Sequence, residues 1–165
     1  EIDAVLDHVQ VLNVRRLGHV CFLSSAQKKR ILEDPELHPL SAVELCPTSN
    51  CVTRCLRSFR EHHLPQWWDE HERKRKIRLC LCTDDSGLFQ CSLSSELAAM
   101  GDAFPDLFRA DLEDALSVYE QLQRNAVESS FLQAEEKEEL LRKHFDNSRG
   151  YGPAVVRELP KKGTR

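Results

Sequence analysis

The sequence predicts an α/β domain organised around a parallel sheet. Three observations carry that expectation. Short apolar runs of strand length recur along the first half of the chain, helical spacing or long loops separate them, and polar residues gather at the carboxyl end of each run. Parallel strands need such crossovers, and folds of this kind do their chemistry beyond the strands' carboxyl ends.

The elements follow in order. Ile2, Val5, Leu6, Val9 and Leu12 recur at i, i+3, i+4, i+7, which predicts one amphipathic helix over the first dozen residues. Arg16 to Leu23 is an apolar run interrupted by Gly18 and His19, compatible with a buried strand and the loop at its end. Ser24 and Ser25 offer caps for a helix from Ala26 to Glu33, bracketed beyond by Pro35 and Pro39. Ala42 to Cys46 reads as a second strand stopped by Pro47, and Ile77 to Cys82 as a third stopped at Thr83-Asp84-Asp85. Beyond Phe89 the pattern is helical, with Ser94 or Ser95 as the cap, then long helices over Phe108 to Ser129 and Glu135 to Phe145. From Asp146 onward the chain thins into Gly, Pro and Lys, so residues 146–165 read as a disordered tail and 1–145 as the folded part.

Composition narrows the function classes. With 165 residues, 41% apolar and 30% charged, the chain has room for one ordinary domain, whereas a closed eight-stranded α/β barrel usually needs ~250 residues. A net charge of −4 gives no bias toward nucleic acid or an anionic membrane surface. The basic run Arg73-Lys74-Arg75-Lys76 reads as a solvated helix end before a strand rather than a nucleic-acid contact. The longest apolar runs, Val20 to Leu23 and Leu79 to Cys82, fall far short of the ~20 residues that span a bilayer. The opening Glu1-Ile2-Asp3-Ala4 has neither a basic leader region nor an initiator Met, so the chain reads as beginning in mid-domain. Seven cysteines, an odd number partly inside strand-like runs, point to reduced thiols and a cytoplasmic location.

Three strand ends carry candidate chemistry. Thr83-Asp84-Asp85 sets two adjacent carboxylates at one of them, where a metal ion would relieve their repulsion; Asp-Asp-Ser-Gly is equally good turn or cap chemistry. His19 follows Gly18 at another, as base, metal ligand or hydrogen-bonded structural group, with Gly18 read as permitting close backbone approach. Glu44 to Asn50 ends the second strand in a Pro-Thr-Ser-Asn turn, whose plain reading is a capped loop before a helix. Neither Cys51 with Cys55 nor Cys80 with Cys82 has the usual spacing of a structural zinc pair, and the H-x-E with P-C-x-x-C signature of cytidine-type deaminases is absent.

Taken together, the order and spacing of Arg16-Leu17-Gly18-His19, Glu44-Leu45-Cys46-Pro47-Thr48-Ser49-Asn50 and Thr83-Asp84-Asp85 resemble the adenosine deaminase family of metal-dependent hydrolases, over about residues 1 to 145. Leu93 to Leu97 and Asn125 to Leu132 also look like the family's helix openings. Ser49-Asn50, Glu61-His62-His63 with Trp67-Trp68, and Asp84-Asp85-Ser86-Gly87 resemble its adenosine deaminase-like branch, which acts on N6-methyl-AMP and related nucleotides.

The resemblance implies the last three strands and carboxyl-terminal helices of a TIM-type (β/α)8 barrel. It implies zinc-dependent hydrolytic deamination at purine C6 of a nucleoside or nucleotide, in purine salvage. By the same resemblance Asp84 is a zinc ligand, Asp85 hydrogen-bonds the purine, and His19 orients and deprotonates the attacking water. The family's His-x-His pair and His-x-x-Glu segment do not occur in these residues, so one ligand of four is expected here and the fragment alone is expected to be inactive. The competing reading is a non-catalytic paralogue that keeps the half-barrel as an interaction module.

Overall fold

The computed structural model describes residues 1–37, 39–74, 77–108 and 118–145. Its centre is a three-stranded parallel sheet, β1 (Arg16–Gly18), β2 (Ala42–Leu45) and β3 (Arg78–Leu81), in that spatial order. Leu17 stands opposite Val43, Val43 opposite Leu79, and Leu45 opposite Leu81. Because side chains alternate along a strand, these five apolar residues share one face, and all are buried in the main hydrophobic cluster. Arg16, Gly18, Glu44 and Cys80 fall on the other face.

Helices surround the sheet. α1 (Ile2–Asp7) precedes β1, and α2 (Ser25–Glu33) crosses to β2, opened by a reciprocal cap in which Ser24 Oγ accepts from Gln27 N at 3.2 Å and Gln27 Oε1 accepts from Ser24 N at 2.9 Å. α3 (Pro47–Val52) and α4 (Leu64–Lys74) lie between β2 and β3. After β3 come α5 (Ser86–Phe89), α6 (Leu93–Ala103), α7 (Pro105–Phe108), α8 (Val118–Glu128) and α9 (Ala134–Phe145). Among the described residues no helix is long and apolar enough to cross a membrane.

The expected elements form, with shifted ends. The first helix stops at Asp7 rather than near Leu12. His8 to Asn13 are turns, Asn13 adopts φ 50°, and the chain reverses there to enter β1. Val9 stays buried, but Val11 and Leu12 are 85% and 60% exposed, so the helical period continued past the helix. Pro47 does more than stop β2: it occupies the first turn of α3, where its missing N–H costs nothing. The cap of α6 is Ser92, not Ser94 or Ser95, through Ser92 Oγ accepting from Ser95 N at 3.2 Å. The middle of the helix expected over Phe108 to Ser129 (residues 109–117), the tail at 146–165 and the side chains of the basic run lie outside the described residues.

Two buried polar contacts hold helices to the sheet region. Arg78 N–H and Cys82 N–H reach the β2 side, to Ser41 O and Leu45 O, so Leu79 between them turns its carbonyl to the free edge. There Asn125 of α8, 1% exposed, donates Nδ2–H to Leu79 O at 3.0 Å. At the start of α4, Leu64 N–H donates to His62 Nδ1 at 3.1 Å, so an imidazole serves as the helix cap. His62 and His63 stack at 4.4 Å, both buried. Burial, with His63 beside it, pushes His62 down to about 3, and burial with Lys28 nearby pushes His63 down to about 4.

Replacing Asn125 with Leu keeps the volume and strands the Leu79 carbonyl, so unfolding in urea should show a loss of ~1–3 kcal/mol; an unchanged midpoint would mean that another group satisfies that edge. The two histidines set a pH dependence with a definite sign. The unfolded chain binds two protons below ~6.5 that the fold refuses until about pH 4 and about 3. Their contribution is complete above ~6.5 and is lost as pH falls, with a slope approaching ~2.7 kcal/mol per pH unit near pH 5. Chemical denaturation between pH 7 and 5 checks this, and His63→Gln should remove about half of the slope.

Candidate metal and substrate site

The register of the sheet brings three strand ends level, and each is followed by a candidate segment. The ladder runs one residue past β1 and β3, through His19 N–H to Glu44 O at 2.9 Å and Cys82 N–H to Leu45 O at 2.8 Å. Beyond it the backbone turns sharply: His19, Val20 and Asp84 adopt φ of 60°, 47° and 57°. Such left-handed conformations cost non-glycine residues ~1–2 kcal/mol each, most clearly β-branched Val20. Val20 is buried in the hydrophobic cluster and anchors the turn, while the His19 side chain remains 47% exposed.

Two of the three site residues read from the sequence meet. His19 Nε2 lies 3.6 Å from Asp84 Oδ2, and Asp84 is fixed by Ser49 Oγ, which donates to the same oxygen at 2.8 Å. On its other nitrogen, His19 Nδ1 lies 2.9 Å from Asn50 Oδ1, and Asn50 Nδ2 lies 3.4 Å from His62 Nε2. Asp85, the third, accepts from Leu88 N–H at 2.9 Å and caps α5, as the turn-and-cap reading of this dipeptide anticipated. Its side chain is exposed, and among the described residues none of the hydrogen bonds joining His19, Ser49, Asn50 and Asp84 involves it.

Cys46 completes a donor set. One ligating atom each from His19, Cys46 and Asp84 lies within 4.8 Å of the others. An imidazole, a carboxylate and a sulfur suit a borderline divalent ion such as zinc. Cys46 is the weak member, because its hydrogen bond to Cys82, burial, and the nearby Asp84 and Glu44 charges push its thiol up, out of the thiolate range. The same bond pulls Cys82 down. Asp84, 37% exposed and held by a neutral hydroxyl, is the donor best placed to take a metal from the open side.

Supporting contacts explain the motif residues around the site. Arg16 forms an ion pair with Glu44 across β1 and β2, donates Nη1–H to Ser129 O at 2.9 Å, and lies over the Phe131 ring at 5.8 Å. Gly18 is not required by a close backbone: a Cβ there would meet Glu44 Oε2 at 3.9 Å, an ordinary contact. Glu96 of α6, fully buried, accepts from Thr48 N–H at 3.0 Å and fixes the first turn of α3, which carries Ser49 and Asn50. Sequence reasoning assigned no role to Ser49, Asn50, His62 or Glu96. All four lie in segments the motif comparison singled out, but nothing local marks Glu96 as buried.

The chain as a whole is similar to known proteins. A family profile described as adenosine deaminase matches residues 2–146. The N6-mAMP deaminase of Arabidopsis thaliana is 33% identical over 146 residues, covering 85% of this chain and 33% of that protein. An adenosine deaminase of Clostridium perfringens is 29% identical over 141 residues, covering 82% of this chain and 36% of that protein. Among solved structures, Arabidopsis ADAL complexed with IMP superposes with a TM-score of 0.68 at 28% identity, over 92% of this chain and 38% of that one. The chain thus spans about a third of the length of the curated relatives it matches. With a parallel sheet whose ends carry the family's motifs and a profile match over nearly the whole described region, the chain belongs to the adenosine deaminase family.

Proposed function

We propose that this chain is the carboxyl-terminal part of a zinc-dependent aminohydrolase that deaminates a purine at C6. The observation that carries the reading is the meeting of His19 and Asp84, 3.6 Å apart at two strand ends that are far apart in sequence. Residues 1–145 are read as the last three strands and terminal helices of a (β/α)8 barrel, a fold whose chemistry gathers at the strands' carboxyl ends. Asp84 would hold the metal, oriented by Ser49. Zinc, when bound, supplies acidified water near neutral pH. His19 faces the same space and positions the attacking oxygen. Asp85, whose carboxylate caps α5 in the resting fold, is read as the group that meets the purine ring edge.

A nucleotide is the preferred substrate class. One relative is an N6-mAMP deaminase, and solved Arabidopsis structures hold IMP and GMP. Hydrolytic loss of the C6 amine from AMP, or of methylamine from N6-methyl-AMP, yields IMP, so a product complex would look like the IMP structure. Seven free cysteines are consistent with reduced thiols and a cytoplasmic place in purine salvage. The 165 residues contain neither a His-x-His nor a His-x-x-Glu segment, so they supply one family ligand and no ring-protonating acid of that type.

Ultraviolet assays with adenosine, AMP and N6-methyl-AMP should therefore show no turnover by the 165 residues alone. Where the chain is joined to those missing segments, three variants should separate. Asp84→Ala should lose zinc and activity together. His19→Ala should keep zinc and lower kcat by ~100-fold or more. Asp85→Ala should keep zinc and lower mainly kcat/KM. His8→Ala serves as control. If all three retained zinc and wild-type rates, the motif matches would be coincidental and the turn-and-cap reading of these strand ends would stand.

A further inference from the structure

Asn50 stands between two histidines with its side chain 1% exposed, in contact with His19 Nδ1 at 2.9 Å and His62 Nε2 at 3.4 Å. A carboxamide fills the same volume in either of two orientations, so the partners' hydrogen-bond polarity decides which end is oxygen. One donor in this chain cannot change sign. Leu64 N–H is a backbone amide, and its 3.1 Å bond to His62 Nδ1 requires a lone pair on that nitrogen. An imidazole whose Nδ1 accepts carries its proton on Nε2. His62 therefore presents a donor to Asn50.

The structure draws the amide with Oδ1 toward His19 and Nδ2 toward His62; in that orientation donor meets donor at His62, and the separation of 3.4 Å is longer than an ordinary hydrogen bond, so the carboxamide is assigned the reverse way. With the amide oxygen toward His62, both contacts are satisfied. The amide nitrogen then donates to His19 Nδ1, which must accept, and the neutral His19 ring holds its proton on Nε2, the nitrogen 3.6 Å from Asp84 Oδ2. Hydrogen-bond direction thus runs from the α4 cap to the site: Leu64 to His62, His62 to Asn50, Asn50 to His19.

We propose that His62 is a positioning residue that, through Asn50, fixes the ring proton of His19 on Nε2, so that His19 faces the site as a hydrogen-bond donor. Its consequence for catalysis rests on the deaminase reading. There His19 orients the attacking oxygen by donating to it, and cannot take a proton at Nε2 until the Asn50 amide turns over. The tautomer itself does not depend on that reading.

Two-bond proton–nitrogen correlation spectra of the 165-residue chain labelled with 15N-histidine, near neutral pH without metal or substrate, report each ring's tautomer directly. The expected result is a pyridine-type Nδ1 and pyrrole-type Nε2 on both His19 and His62; a pyrrole-type Nδ1 on His19 would overturn the proposal. Asn50→Asp, whose carboxylate accepts from both rings, should move the His19 proton to Nδ1, and His62→Phe should leave His19 a mixture of tautomers. A merely structural role for His62 predicts an unchanged His19 tautomer in His62→Phe, which would also overturn the relay. Should His62→Phe fail to fold, the wild-type and Asn50→Asp spectra still decide. A complete enzyme inactive on purines would remove the deaminase reading and leave these spectra as they are.

Discussion

The parallel register of three short strands is the constraint on which the site depends. Leu17, Val43 and Leu79 are matched across the sheet, as are Leu45 and Leu81, because an odd slip in any pair would move an apolar row to the opposite face. With the register set, the residues after the strands have one place to go. His19 and Asp84, 65 positions apart in the chain, then meet beyond the ends of β1 and β3.

Meeting there requires turns that most side chains resist. The left-handed conformations at His19, Val20 and Asp84 are stabilised by what surrounds them: the bond from His19 N–H to Glu44 O, burial of Val20, and the Ser49 hydroxyl on Asp84. A loop free of these contacts would relax toward ordinary backbone angles, because each turn costs ~1–2 kcal/mol. The strain sits beside His19 and Asp84, the groups proposed to carry the chemistry, as it often does at functional sites.

Helix capping and site construction use neighbouring residues. Asp85 caps α5, His62 caps α4, and Glu96 closes the first turn of α3 so that Ser49 and Asn50 are delivered in fixed positions. A helix amino terminus needs acceptors for its unpaired N–H groups, and here those acceptors lie within one or two contacts of His19 and Asp84. In the proposed site, secondary structure and reactivity are coupled through hydrogen-bond direction as well as through position.

Much of this was legible from the residues alone. Strand positions, the alternating rhythm, the Ser24 cap and the three motif segments follow from local rules of apolar spacing, proline placement and capping, which operate within a few residues. Helix ends were less legible: the apolar period ran through Leu12 although the helix stops at Asp7, because the need to enter β1 overrode local spacing. Asp84 beside His19 was expected only through a family resemblance, whereas the cap role of Asp85 followed from the turn chemistry of Asp-Asp-Ser-Gly and its purine contact only from the resemblance. Ser49 on Asp84, the chain of contacts from Leu64 to His19, the Cys46–Cys82 bond and buried Glu96 were decided by tertiary structure. The reason is physical: a hydrogen bond between residues dozens of positions apart leaves no periodic trace in the sequence, and it exists only once the sheet has brought the strand ends together.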